Sequence, residues 1–511
     1  MLLADVVAAS ARVAATRART AKAAAIAELL RRADDDEVRP VTAWLSGETG
    51  QGRLGVGWRT LAPRVGSPAA EPGLSVPAVV SALGELATTS GAGSTARRDA
   101  VLTALFSAAT EEEQRFLVAL LTGELRQGAL EGVVLDAVAT AAEVPPATVR
   151  RAFMLSGRLP ETAALALSGG AGALDGVKLE VGRPIRPMLA SPGASLDAAL
   201  HDLGAEVTVE FKLDGARIQV HRNGDEVRVW TRTLREITDG VPELVVLVRS
   251  LPCRTAVLDG ETLALDDDGR PRAFQDTMSR FGSDAADDEA GVLLSPFFFD
   301  LLHLDGRDLL DEPLDVRLDA LAGLLADDAH AGLRMKGVRR PRDGQAAQVL
   351  DDALAGGHEG VVVKALDAPY AAGRRGRAWQ KVKPVHTLDL VVLGAEWGYG
   401  RRTGSLSNIH LGARDTDGGE PVMVGKTFKG MTDELLAWQT RTFRDLARER
   451  PEWGVLLRPE LVVEIAVDGA QRSTRYPGGV ALRFARVLRY RPDKTAADAD
   501  TIDAVRALLA P

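Results

Sequence analysis

The spacing of apolar residues changes once along this chain, and the change limits the folds open to it. Up to about residue 180, segments such as ADVVAASARVAATRARTAKAAAIAELLRRA and AVVSALGELA are rich in Ala and Leu and repeat their apolar positions at helical intervals. Thr110 and Glu113 stand in capping-box spacing ahead of another such run, which marks a helix start. From about residue 205 the pattern becomes short stretches alternating with period two, as in half-buried strands. VTVEFKLDGARIQVHRNGDEVRVWTR is read as two strands, with Asn223-Gly224 between them as a hairpin turn. TAVLDGETLAL, SPFFFDLLHL and GVVVKAL add further strands, and helices are predicted over 315–326 and 345–355. One repeat or one sheet cannot produce this order.

Between the two patterns, GVKLEVGRPIRPMLASPG carries Pro184, Pro187 and Pro192 with little periodicity and reads as an interdomain linker. Beyond His386, four alternating stretches and one helix near 432–449 suggest about five strands, compatible with a small barrel of the OB type. At roughly 100–200 residues per domain, the length of 511 residues suits three units. The expected architecture is therefore multidomain α and α+β: a helical domain over 1–183, an α+β domain over 184–386 and an OB-fold β-barrel over 387–511.

Several function classes fall away. The single Cys253 excludes a disulfide framework and a four-thiolate zinc finger, and it suits a reducing cytoplasm. No apolar run approaches the ~18 residues of a membrane span. The apolar N-terminus carries Asp5 before any basic residue and reads as a helix, not a signal peptide. The seven histidines show no paired metal-ligand spacing. Net charge is −9, all of it from the middle third, where 25 basic residues meet 34 acidic ones. Phosphate binding needs a positive face rather than a positive total, so charge alone decides nothing.

Lysine is scarce. Of 62 basic residues only ten are lysine, so the chain uses Arg wherever a generic cation serves. An amine can lose its proton and act as a nucleophile, which a guanidinium cannot. Lys22 and Lys178 need no special explanation, but Lys212 sits in the densest cluster, Glu210-Phe-Lys212-Leu-Asp214-Gly215-Ala-Arg217. Asp-Gly turns the chain at a strand end and lets backbone approach a ligand. Alone, the segment could equally be a hairpin with its cations in water. Its neighbours favour chemistry. Asp259-Gly260-Glu261 and Glu359-Gly360 each place a carboxylate beside Gly at a predicted strand end, suited to a hard divalent cation and phosphate oxygens. Trp379-Gln380-Lys381-Val382-Lys383 alternates, which puts both lysines on one strand face. Phe297, Phe298 and Phe299 offer an aromatic face or simply core. A nucleophilic lysine, two carboxylates, two lysines and an arginine suit attack on a nucleoside triphosphate. Residues 471–494 add seven basic side chains against Asp493 alone, read as a DNA-contacting face or a solvated barrel edge.

The order of these segments resembles the covalent nucleotidyltransferases. K-L-D-G-A-R is similar to their KxDGxR motif; L-D-G-E261, F-F-F-D-L-L, E359-G-V-V-V-K364 and W-Q-K381-V-K383 look like the later motifs in the same order. L-R483-F-A-R486 with R491-P-D493-K494 resembles the last motif, which that superfamily carries in an OB domain. P187-M-L-A, L125-R126-Q127-G128 and Gly430 after V-G-K426 resemble bacterial three-domain ATP-dependent DNA ligases in particular. A lone KxDG is weak; six motifs in order are specific.

The resemblance implies that Lys212 becomes linked to AMP through a phosphoramide bond, with ATP as co-substrate and Mg²⁺, or Mn²⁺ in its place, as the metal. It implies that Glu210 bonds the adenine amino group, Phe299 stacks on the base, and Arg217 and Arg232 contact the nucleotide or DNA end. Glu261 would contact ribose or metal, and Glu359 would be a metal-site carboxylate. Arg375, Lys381 and Lys383 would hold the α-phosphate and departing charge, and Arg483, Arg491 and Lys494 would orient pyrophosphate when the OB domain closes. The AMP would pass to the 5′-phosphate of nicked duplex DNA, and the 3′-hydroxyl would then seal the strand, in DNA repair, replication or recombination. A monomer encircling DNA in the cytoplasm is expected, with its helical domain gripping backbone and no membrane partner. Gln380 and Ala485 depart from the family's usual Leu and Pro without touching its charged positions. An RNA ligase or capping enzyme would lack the helical domain before Lys212, and an NAD-dependent ligase would carry a cysteine-rich zinc finger. A DNA-clamping protein with a dead nucleotide site would not need Lys212, Glu261, Glu359, Lys381 and Lys383 together.

Overall fold

The computed structural model describes residues 1–509 other than 53, 126, 130, 267, 273–276, 278–292, 372–374 and 400–401, and leaves out the side chains of residues 375 and 376. Among the described residues, ten helices run from Leu3–Ala15 to Leu159–Asp175. Leu3, Ile26, Trp44, Phe106 and Val138 meet in their shared core. The capping box forms as the spacing predicts: Thr110 Oγ1 accepts from Glu113 N, and Thr110 N donates to Glu113 Oε2 at 2.8 Å. Lys22 has a structural use after all. It is buried and donates to Gln127 O at 2.5 Å, holding the turn that contains Gln127-Gly128; Arg126 lies outside the described residues.

Two five-stranded sheets follow. In chain order the strands are β1 (Leu189–Pro192), β2 (Val207–Lys212), β3 (Ala216–Asn223), β4 (Glu226–Thr231), β5 (Thr255–Ala264), β6 (Leu294–Leu304), β7 (Arg307–Asp308), β8 (Gly337–Arg339), β9 (Gly360–Ala365) and β10 (Arg375–Val382). One sheet has the order β1-β10-β9-β2-β8 and the other β4-β3-β5-β6-β7. The stretch read as two strands is therefore three. The hairpin at Asn223-Gly224 forms, with Asn223 opposite Glu226 and Gly224 at φ 62°, where a left-handed turn favours glycine. Ahead of it, Leu213-Asp214-Gly215 carries the chain from one sheet to the other. The apolar positions change phase here, odd through Leu213 and even from Ala216, and the Asp-Gly turn expected at a strand end is where the chain crosses. Gly215 is needed there because a Cβ would lie 2.4 Å from Thr262 O.

The proline-rich segment is not a free linker. Ile185 and Met188 are buried, and Leu189–Pro192 pairs in parallel with β10. Its apolar residues, every few positions between the prolines, supply the reason. Beyond β10, nine strands among the described residues, from His386–Trp397 to Arg486–Tyr490, form the β-rich C-terminal region, instead of about five. The surplus is made of short pieces: Ala447–Glu449, for example, takes the end of the predicted 432–449 helix, which stops at Asp445. The long strand His386–Trp397 bonds to Leu406–Ala413, Gly454–Leu457 and Val462–Val467, the bending expected of an OB-type sheet. No described helix is long and apolar enough to cross a membrane.

Candidate active site

A pocket of about 720 Å³ opens between the two sheets, at the crossing from β2 to β3. The first sheet contributes Glu210 and Lys212 from β2, Lys364 from β9, and Trp379 and Lys381 from β10. The second contributes Arg217 from β3, Glu261 from β5 and Phe299 from β6. Arg232, just past β4, stands exposed at its rim. The strands deliver these groups because every second residue faces the pocket.

Lys212 pairs through Nζ with Glu359, and its carbonyl accepts from Glu359 N at 2.9 Å. Two residues on, Asp214 binds Arg483 of the C-terminal region at 2.6 and 3.2 Å. Burial works to raise the Asp214 carboxyl, but Arg483 and then Lys212 outweigh it and hold its pKa below the usual value. Glu261 is the opposite case. Burial, the largest effect, pushes its carboxyl up to about 7 although Arg217 and Lys212 oppose it.

Glu210 is buried and takes Lys364 Nζ at 2.5 Å. Burial raises its carboxyl, with Lys364 opposing. Lys364 Nζ also stands 4.3 Å from the Phe299 ring centroid and 4.5 Å from that of Trp379, within cation–π reach. Lys364 and Trp379 are pocket residues that the sequence reading quoted in motifs without assigning a role. For Trp379 the signal was there: it lies two positions before Lys381 on an alternating strand. Phe297–Phe299 divide between the two uses offered, since Phe298 is core and Phe299 lines the pocket.

Two expectations need correction, and Arg217, Arg491 and Lys494 are found engaged by carboxylates. Asp259-Gly260-Glu261 lies in the middle of β5, not at a strand end, and Gly260 lets β6 approach: a Cβ would be 2.9 Å from Phe297 O. Asp259 is taken up by Arg217, at 2.9 and 2.6 Å, and by Tyr370 Oη at 2.6 Å. Arg217 is thus anchored, with Asp259 overriding the effect of burial and raising its pKa, and its guanidinium lies 5.1 Å from the Phe299 centroid. Lys381 and Lys383 do not share the pocket. Lys383 lies one residue beyond β10 and pairs with Asp468 of the C-terminal region. Of the three C-terminal cations, only Arg483 reaches the Lys212 turn. Arg491 and Lys494 pair with Asp389 at 3.0 and 2.5 Å, and neither lines the pocket. The Arg375 side chain lies outside the described residues.

Among the described residues no three His, Cys, Asp or Glu side chains gather into a metal cage. Glu261 and Glu359 still fit a divalent cation, being hard oxygen donors that both lie near Lys212. Two carboxylates suit an ion that keeps waters and substrate phosphates as its other ligands.

Family models match three stretches of the chain: a DNA ligase N terminus over residues 63–139, an ATP dependent DNA ligase domain over 187–383, and an ATP dependent DNA ligase C terminal region over 402–494. A "Probable DNA ligase" of Rhodococcus opacus is 64% identical over 509 residues, covering all of both chains. The chain belongs to the ATP-dependent DNA ligase family. Another relative in this ligase family, the "Probable DNA ligase" of Saccharopolyspora erythraea, is 63% identical over 511 residues, covering 100% of this chain and 98% of its own. The solved structure "Pmar-Lig_PreS3" superposes with a TM-score of 0.62 at 20% identity, over 95% of this chain and 99% of that one. At that identity it speaks for the fold alone.

Proposed function

We propose that this member of the ATP-dependent DNA ligase family seals 5′-phosphate/3′-hydroxyl nicks in duplex DNA, with Lys212 as its nucleophile. The observation that carries the reading is Lys212 at the pocket's inner turn, paired with Glu359 and followed by Asp214 in the grip of Arg483. ATP would stack its base on Phe299 and offer its amino group to Glu210, with its phosphates toward Lys212, Arg232 and Lys381. Lys212 Nζ, once deprotonated, attacks the α-phosphorus and pyrophosphate leaves, forming a phosphoramide bond to AMP. Glu359 is placed to hold Nζ and take up its proton. Mg²⁺, or Mn²⁺ in its place, would be held by Glu261 and Glu359 and would neutralise phosphate charge when bound. Lys381 withdraws charge from the α-phosphate, and Arg483, with Arg491 and Lys494 once released from Asp389, orients pyrophosphate. AMP then passes to the 5′-phosphate of the nick, and attack by the 3′-hydroxyl joins the strand and frees AMP. Positioning and electrostatics supply most of such catalysis.

We assign residues 1–183 to gripping the duplex backbone, 184–386 to adenylation and 387–511 to closing over the site. A monomer encircling nicked DNA follows from three units around one duplex, and sedimentation with and without nicked DNA checks it. Mixing the protein with α-labelled ATP and Mg²⁺, then denaturing it, tests the main reading. Label is expected on wild type, absent from Lys212→Ala, and chased by nicked duplex into sealed strand and AMP. Labelling from GTP alone would point to a capping-type enzyme, and no label at all would refute the ligase reading.

A further inference from the structure

The segment between the helical region and the nucleotide pocket is bound on both faces. On one face, β3 reaches it with alternate residues. Arg217 Nη1 donates to Met188 O at 2.7 Å. Ile185 N donates to Gln219 Oε1 at 2.8 Å, and Gln219 Nε2 donates to Ile185 O at 3.2 Å. Gly182 N donates to His221 Nδ1 at 2.9 Å. Positions 217, 219 and 221 share one strand face, so three side chains in step meet three positions of the segment. Gln219 and His221 are 4% and 1% exposed, and His221 Nε2 lies 3.0 Å from Gln219 Oε1. With Nδ1 accepting and Nε2 donating, the tautomer of the ring is set by its neighbours.

On the other face stands the helix Pro146–Ser156. Arg186 N donates to Met154 O at 2.9 Å, its guanidinium lies 5.0 Å from the Phe153 centroid, and it pairs with Glu131 at 2.7 Å. Met154 and Leu155 bury themselves in one cluster with Ile185 and Met188, and that cluster continues to Phe299 and Trp379 in the pocket wall. Arg151 closes the same seam further out, binding Asp311 at 2.6 and 2.7 Å.

We infer that Gly182–Met188 is a strap that mounts the helical region on the nucleotide pocket before DNA arrives, with Gln219 and His221 as its positioning residues for nick binding. The inference rests on the ligase reading above. A duplex must meet the helical region and the Lys212 turn at one fixed spacing. Each buried backbone partner lost from the strap leaves a polar group unpaired, so the strap tolerates little slack. A mount already in place spares the ordering that binding would otherwise require. Neither Gln219 nor His221 lines the nucleotide pocket, so their effect falls on DNA binding and not on adenylation.

The test uses the full chain with Gln219→Ala, His221→Ala and His221→Asn. Labelling by α-labelled ATP and Mg²⁺ is expected to stay within about two-fold of wild type in all three, while the alanine variants raise KM for nicked duplex about five-fold or more. His221→Asn is expected to restore KM, because Asn Oδ1 offers an acceptor where Nδ1 stood. Unchanged KM in both alanine variants, or labelling that falls in parallel with sealing, overturns the proposal. Hydrogen exchange on the wild-type protein supplies a second measure if a variant fails to fold. The Gly182 and Ile185 amides are expected to be protected without DNA, and rapid exchange slowed only by nicked duplex would equally overturn it. Absence of any labelling in wild type would sink the ligase reading, whereas the exchange result would still judge the strap.

Discussion

The helical region and the C-terminal region both touch the core that carries Lys212, but through seams of different chemistry. The first seam is largely apolar and hydrogen-bonded: Met154, Leu155, Ile185 and Met188 share one buried cluster, and Gln219 and His221 bond the strap backbone. The second is ionic. Arg483 binds Asp214, Lys383 pairs with Asp468, and Phe484 stands 62% exposed between Lys383 and Lys429. The C-terminal region keeps its own apolar core around Leu390, Phe443 and Val463. Buried apolar contact is short-ranged and not subject to charge screening, so it holds a fixed geometry. Ion pairs at a partly open surface are weak, screened, and replaceable by phosphate charge. The difference matches a fixed mount on one side of the pocket and an exchangeable contact on the other.

The largest effect should come from emptying the first seam. Ile185→Ala removes a fully buried side chain and is expected to destabilise the protein by about 2–5 kcal/mol, read by thermal or denaturant unfolding. A loss under about 0.5 kcal/mol would mean the strap packs less tightly than its burial indicates.

Acid probes the same seam through one group. Burial, with His303 adding to it, lowers the His221 pKa to about 3. The unfolded chain binds this proton below about 6.5 while the folded one does not, so the neutral ring's contribution is fully present above that pH. It declines as pH falls from about 6.5 towards 3, by at most about 1.4 kcal/mol per pH unit. His221→Asn should flatten this part of the curve, and an identical pH dependence in the variant would disprove the assignment.

The ionic seam should give less in stability and more in rate. Arg483→Ala leaves Asp214 near Lys212, so unfolding is expected to shift by about 1 kcal/mol or less. Labelling of Lys212 by ATP should nevertheless slow about ten-fold, because Arg483 is the C-terminal cation bound to Asp214 at that turn. Normal labelling would remove Arg483 from the first step. The smallest effect is that of salt. Raising ionic strength from about 0.1 to 1 M shortens the screening length from about 10 to 3 Å, and should speed hydrogen exchange near Asp214 and Asp468 but not at Gly182 and Ile185. Equal response at both seams would erase the contrast between them.

Much of the site was legible because its signals are local. Lys212, Asp214 and Gly215 form a contiguous run, and Lys381 faces the pocket as strand alternation requires. Lys383 was misread because alternation says nothing about where a strand stops: β10 ends at Val382, and the next residue serves Asp468. The burial of this linking segment was not legible, because prolines suppress periodicity while the apolar residues among them still seek burial. Lys364 carried no assignment because its partner Glu210 lies 154 residues away.

The sequence by itself determined the helical and alternating regions, the nucleophile and the order of the motifs around it, since all of these depend on residues close together in the chain. Only the tertiary structure decided that Asp259 belongs to Arg217, Glu210 to Lys364 and Asp214 to Arg483, and that the proline-bearing segment is buried and paired with β10. Arg483 and Asp214 are 269 residues apart. A charge takes whichever partner the folded path brings within about 3 Å, and no local spacing records that path.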